Sequence, residues 1–187
     1  MQTNLVQTFK FIKDDFTRYT EKNKNFLFFL IKFFHNPGMF FSIFYRLERY
    51  LMFNSNLLLK FIGYLFYPFY FLITYFVLDY HIEPMVSIGG GLFLHNRDIV
   101  ITDRTEIGKN FSIMGHTTIA TDFDAKDVLI TIGDNVKIGT GARVIAKGKL
   151  KIADGVIIGA NAVVTKSLLK KNSVYAGIPA KFIKKRS

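Results

Sequence analysis

An aliphatic residue returns every six positions through the C-terminal half of the chain. Ile107, Ile113 and Ile119 make one run, and Ile132, Ile138 and Val144 a second. Ile152, Ile158 and Val164 make a third, and Ile88, Leu94 and Val100 an earlier fourth. Glycine follows directly at Gly89, Gly108, Gly133, Gly139 and Gly159. Small or apolar residues stand two positions ahead, at Thr105, Thr117, Val136, Ala142, Val156 and Ala162. A period of six matches neither the helical repeat nor the two-residue alternation of a flat amphipathic strand. It predicts a solenoid with three short strands per turn, each giving one inward rung, stacked about four turns high.

Two interruptions break the period. Ile119 and Ile132 are thirteen apart, so Thr121–Asp127 is expected to bulge out as a loop, the kind of segment that often carries binding residues. Two further residues intrude around Lys147-Gly148-Lys149. Gly177-Ile178-Pro179-Ala180 is expected to end the coil and lead into a basic tail.

The pattern changes near residue 80. Residues 1–80 read as helical, with breaks at Asn36-Pro37-Gly38 and Asn54-Ser55-Asn56. Phe61 to Leu78 is 18 residues without a charge, long enough to be a membrane candidate. Pro68 in its middle predicts a kink, and its tyrosines suit an interface better than a bilayer centre. The expectation is a kinked or re-entrant helix in the cytoplasmic leaflet surface, with contact through residues 26–78. The chain thus divides into a membrane-associating or oligomerising helical segment, 1–80, and a β-solenoid domain with a basic tail, 81–187.

Composition adds three constraints. There is no cysteine, which excludes disulfides and Cys-based zinc sites. The net charge is +11, from 25 Lys and Arg against 14 Asp and Glu, and seven basic residues with no acidic one follow from Lys166 onward. That charge suits a phosphorylated small molecule or an anionic membrane; no nucleic-acid reading module is visible. No signal peptide is expected, and the protein is placed in the cytoplasm, peripheral on the membrane's cytoplasmic face.

Four histidines are available for chemistry. His35 sits beside the Pro-Gly break and reads as structural. His95 follows the rung Leu94, so its side chain should leave the coil at a corner, among Asn96, Arg97 and Asp98. A neutral imidazole there is suited to taking a proton from a hydroxyl, with Asp98 or another carboxylate to orient it. His116, three residues before Ile119, also points outward and is the second choice as base. His81, His95 and His116 are spaced 14 and 21 apart, which does not put them on one edge, so no metal site is expected. No phosphate loop of Walker type is present.

The segments "IGDNVKIGTGARVI", "IADGVIIGANAVVTKSL" and "VYAGIPAKFIKK" resemble hexapeptide-repeat acyltransferases with a left-handed parallel β-helix. "GLFLHNRDIVI" and "NPGMFFSIFYRLERYL" resemble the upstream segments of serine acetyltransferases and related capsule acetyltransferases. The resemblance implies a homotrimer that uses acetyl-CoA as co-substrate, with no tightly bound cofactor. It implies His95 as general base and CoA contacts at Thr140, Ala160, Thr165, Lys166, Lys181 and Lys184. The aspartate that partners the base in serine acetyltransferases falls here on His81, and their Arg-His loop pair has no match in "TDFDAKDVL". Arg97, Asp122, Asp124 and the ring of Phe123 look suited to a sugar. The leading expectation is therefore O-acetylation of a hydroxyl on a capsular or surface polysaccharide or its precursor. Serine O-acetylation is the alternative, and a non-enzymatic membrane-bound scaffold a further one.

Overall fold

The computed structural model describes residues 4–20, 35–122, 124 and 126–186. The expected contacts at Phe123 and along residues 26–34 therefore lie outside the described residues. Helices α1 (Leu5–Thr20), α2 (Pro37–Met52) and α3 (Leu57–Phe71) precede fifteen short strands.

The strands form a three-sided parallel β-helix. The first face stacks β1 (Tyr80–Ile82), β4 (Ile99–Ile101), β7 (Thr117–Thr121), β10 (Arg143–Ala146) and β13 (Val163–Val164). The second stacks β2 (Ser87–Ile88), β5 (Thr105–Ile107), β8 (Leu129–Ile132) and β11 (Lys149–Ile152). The third stacks β3 (Phe93–His95), β6 (Ser112–Met114), β9 (Lys137–Ile138), β12 (Ile157–Ile158) and β14 (Ser173–Ala176). The last strand, β15 (Lys181–Lys185), turns back antiparallel onto β14 and closes that end.

The six-residue period is the stacking register. Leu94, Ile113, Ile138, Ile158 and Tyr175 lie in line on the third face. Ile88, Ile107, Ile132 and Ile152 do so on the second. All nine are buried. Each such side chain contributes roughly 1.5–3 kcal/mol by leaving water. The small residues two positions ahead of the rungs are buried as well.

The first face corrects the expected rung. Ile101, not Val100, aligns with Ile82 and Ile119, because Asn96-Arg97-Asp98 gives that corner one more residue. Ile82 adds a rung the six-residue count omitted, so the first face carries five strands where about four turns were expected.

The lowest coil would leave its backbone edge open, and the helices close it with side chains. Asp15 of α1 accepts from the N–H groups of Gly91 (2.8 Å) and Leu92 (2.7 Å). Arg46 of α2 donates to the carbonyls of Ile88 and Gly89, and Arg49 to those of Pro84, Met85 and Val86. The hydroxyls of Tyr45 and Tyr70 donate to Val86 and Ile82. An unpaired backbone group buried without water is costly, which explains why so many polar side chains converge on one coil.

Pro68 does not break α3. The helix runs through it and then opens into a π-helical turn at Leu72–Val77, where Leu78 N–H reaches the carbonyl of Ile73.

Candidate active site

The corner between the third and first faces carries a column of left-handed residues. Asp79, Asp98, His116, Gly141 and Asn161 occupy the same position in successive coils, each with φ between 56° and 70°. Backbone bonds hold the column: His116 N–H donates to Arg97 O, Gly141 N–H to Gly115 O, and Asn161 N–H to Thr140 O. Glycine takes this conformation freely, and Asn, Asp and His are the side chains most often found in it.

Stacking places Asp98 directly beside His116. Asp98 Oδ2 lies 2.8 Å from His116 Nδ1, and both side chains are more than half exposed. With Nδ1–H donating to the carboxylate, Nε2 carries the lone pair and faces outward. That is the arrangement of an oriented general base. The structure thus gives the expected orienting carboxylate to His116, not to His95. The spacing of 18 residues between Asp98 and His116, one coil, was the available signal, and the misplaced rung at Val100 hid it.

His95 lies on the same corner, exposed at the end of β3 and in register with Met114 of β6. It lines a cleft of about 690 Å³ with Arg18, Tyr19, His35, Asn36 and Arg97. His35, read as structural from sequence, borders this cleft. Among the described lining residues, four side chains are basic or imidazole and none is a carboxylate. Arg18 is anchored by bonds to Gly91 O and Ser112 Oγ, both 2.8 Å. Burial pushes the Tyr19 phenol well up, so it stays protonated and exchanges hydrogen bonds with the backbone of Leu94.

The expected donor residues separate into groups. Thr140 and Ala160 belong to the same corner, one and two coils above His116, and the Thr140 hydroxyl donates to Gly115 O at 2.8 Å. Lys181 pairs with Ala176 as the chain leaves that corner, and Lys184 lies further along β15. Thr165 and Lys166 follow β13, at the opposite end of the first face. All four of these last residues are exposed. Asp122 pairs with Lys147 across the extruded loop at 3.3 Å, and Asp124 is exposed in it. His81 contacts Asp79, one coil below Asp98, at 3.5 Å and stacks on Tyr75. Among the described residues, no three His, Asp or Glu side chains are grouped to hold a metal ion.

The six-residue period, the three stacked faces and the coil corner define a hexapeptide-repeat left-handed β-helix protein. In sequence, the chain is similar to serine acetyltransferases. A serine acetyltransferase of Helicobacter pylori J99 is 38% identical over 112 residues, 59% of this chain and 64% of that protein. One from Staphylococcus aureus Mu50 is 38% identical over 114 residues, 60% of this chain and 52% of the relative. The match thus spans less than two thirds of either relative. Among solved structures, the Neisseria gonorrhoeae serine acetyltransferase in complex with serine superposes with a TM-score of 0.78 at 23% identity, covering 96% of this chain and 70% of that one. The Brucella abortus serine acetyltransferase in complex with coenzyme A gives 0.78 at 22%, covering 98% and 70%. No protein-family model matches the sequence.

Proposed function

We propose that the protein is an acetyl-CoA-dependent O-acetyltransferase and that Asp98 and His116 form its proton-transfer pair. The 2.8 Å contact between them is the observation that carries this reading. His116 Nε2 removes the proton from the acceptor hydroxyl as that oxygen attacks the thioester carbonyl. The new C–O bond forms, the C–S bond breaks, and the departing thiolate takes the proton back from the imidazolium. Asp98 holds the ring and offsets its transient charge. Holding both substrates on one corner supplies much of the acceleration. Thr140 and Ala160 line the path of the donor's amide arm, and Lys181, Lys184 and Lys166 are cations for its phosphates. The reading places the protein in the cytoplasm, with acetyl-CoA, and as a homotrimer.

Serine is the acceptor best supported, because the relatives that match the coil are serine acetyltransferases. The cationic cleft beside His95 suits an acceptor that bears a carboxylate, with the exposed Arg97 to meet it. This displaces the capsular sugar as the leading acceptor; the sugar becomes the second arm of the test. In the second mechanistic reading His95, which borders the cleft, is the base.

The assay is thiol release from acetyl-CoA with serine or with capsular oligosaccharide, on variants whose β-sheet circular dichroism matches wild type. His116→Ala is expected to lose about 10²–10⁴ in turnover, and His95→Ala less than tenfold. The reverse order assigns the base to His95. Release with oligosaccharide and none with serine restores the sugar reading. No release with any acceptor, together with no CoA binding by calorimetry, leaves only the scaffold.

A further inference from the structure

We propose that the outer face of α3 and its π-helical turn, Leu57–Val77, lies flat in the surface of an anionic lipid bilayer. The segment is 21 residues long; its apolar 18-residue window has a mean hydropathy of 1.6, and 17% of that window is buried in the protein. At 1.5 Å per residue it extends about 31 Å.

Its amphipathicity is inverted. A surface helix of a water-soluble protein turns its apolar stripe inward and its polar face to solvent. Here the inward face carries Gly63, Tyr70 and Thr74, all buried. The outward face carries Leu58, Phe61, Leu65, Phe69, Leu72 and Phe76, of which Leu65 is 73% and Phe76 74% exposed. Lys60 is the one charged side chain in the segment.

Two features favour lipid over a second copy of the chain. Along Leu57–Phe71, at 3.6 residues per turn, the exposed apolar positions span an arc of about 200°, wider than one helix–helix seam covers. That arc also lacks the polar rim and the hydrogen-bonding groups that a protein interface of this size carries, Tyr64 aside. Lipid imposes neither requirement. The exposed phenylalanines and Tyr64 suit the headgroup boundary, and a net charge of +11 favours anionic lipid.

The inner face decides between lying in the surface and crossing. A Cβ at Gly63 would sit 3.0 Å from Leu51 of α2. The Tyr70 hydroxyl is bonded to Ile82 O at 2.6 Å. A crossing helix would have to carry α2 and the first coil with it, so the segment lies in the plane.

The absence of cysteine gives a clean test. Single cysteines at Leu65→Cys and Phe76→Cys, and at Lys151→Cys on the solenoid as control, are labelled with an environment-sensitive fluorophore in the full chain. Phosphatidylcholine vesicles with and without phosphatidylglycerol are then added. The expected result is a blue shift at residues 65 and 76 and none at 151, with affinity at least about tenfold higher for the anionic vesicles. Sedimentation of unlabelled wild type with the same vesicles is expected to agree, and a Leu65→Glu, Phe76→Glu variant to stay in solution. No shift with either vesicle, or vesicle binding unchanged in the double variant, overturns the proposal. A label already blue-shifted in buffer, in proportion to protein concentration, overturns it in favour of a second copy.

Discussion

The β-helix and the helical cap achieve burial by opposite means. The β-helix repeats one solution: an aliphatic rung on each face, a backbone bonded coil to coil, and charged residues on the outer side of its strands and corners. The cap is heterogeneous. It buries Asp15, Arg46, Glu48 and Arg49 beside Phe41, Tyr45 and Tyr70. The difference follows from what each must satisfy. An inner coil meets a copy of its own backbone above and below. The first coil meets helices, whose own backbone is already paired, so charged and phenolic side chains must supply the missing partners.

If that contrast is right, the largest loss of stability should come from the junction. Asp15 is fully buried, bonded to Arg46, Ser42 and two backbone N–H groups. Asp15→Ala leaves Arg46 buried without its counter-charge, and about 3–5 kcal/mol should be lost in urea denaturation. A change below about 1 kcal/mol would mean that the cap is not held this way.

A rung should cost somewhat less. Ile138→Ala removes a buried side chain between Ile113 and Ile158, and about 3 kcal/mol is expected from the lost transfer and the cavity. Because neighbouring coils are coupled, the thermal transition should stay single; two separated transitions would show that cap and coil unfold independently.

The smallest effect belongs to Glu48, which is 1% exposed and has both carboxylate oxygens without a partner. Burial pushes its pKa up from 4.5 to about 7. The folded chain then holds this proton more tightly than the unfolded one, so stability falls as pH rises from 4.5 through 7 and levels off above. Glu48→Gln should therefore stabilise the protein at pH 8 by about 1–2 kcal/mol and flatten the fall of Tm between pH 5 and 8. A Tm for the variant below wild type at pH 8 would show that the carboxylate has a partner in solution.

Much of the β-helix was legible because its repeat is written directly in residues such as Ile113, Ile138 and Ile158. The exposure of His95 and His116 followed from the same register. The Asp98–His116 pair did not, since it depends on the corner Asn96-Arg97-Asp98 holding one residue more than the six-residue frame allows. In the cap, the apolar run from Phe61 was plain, but the π-helical turn that follows Pro68 was not.

The period of six, the absence of cysteine and the apolar run before residue 80 were properties of the chain, and local side-chain size and polarity were enough to read them. Which carboxylate meets which imidazole, and which face of α3 is left bare, were decided only when the coils stacked. Those contacts join residues one full turn or one whole element apart, and their geometry is set by backbone register and not by neighbours in sequence.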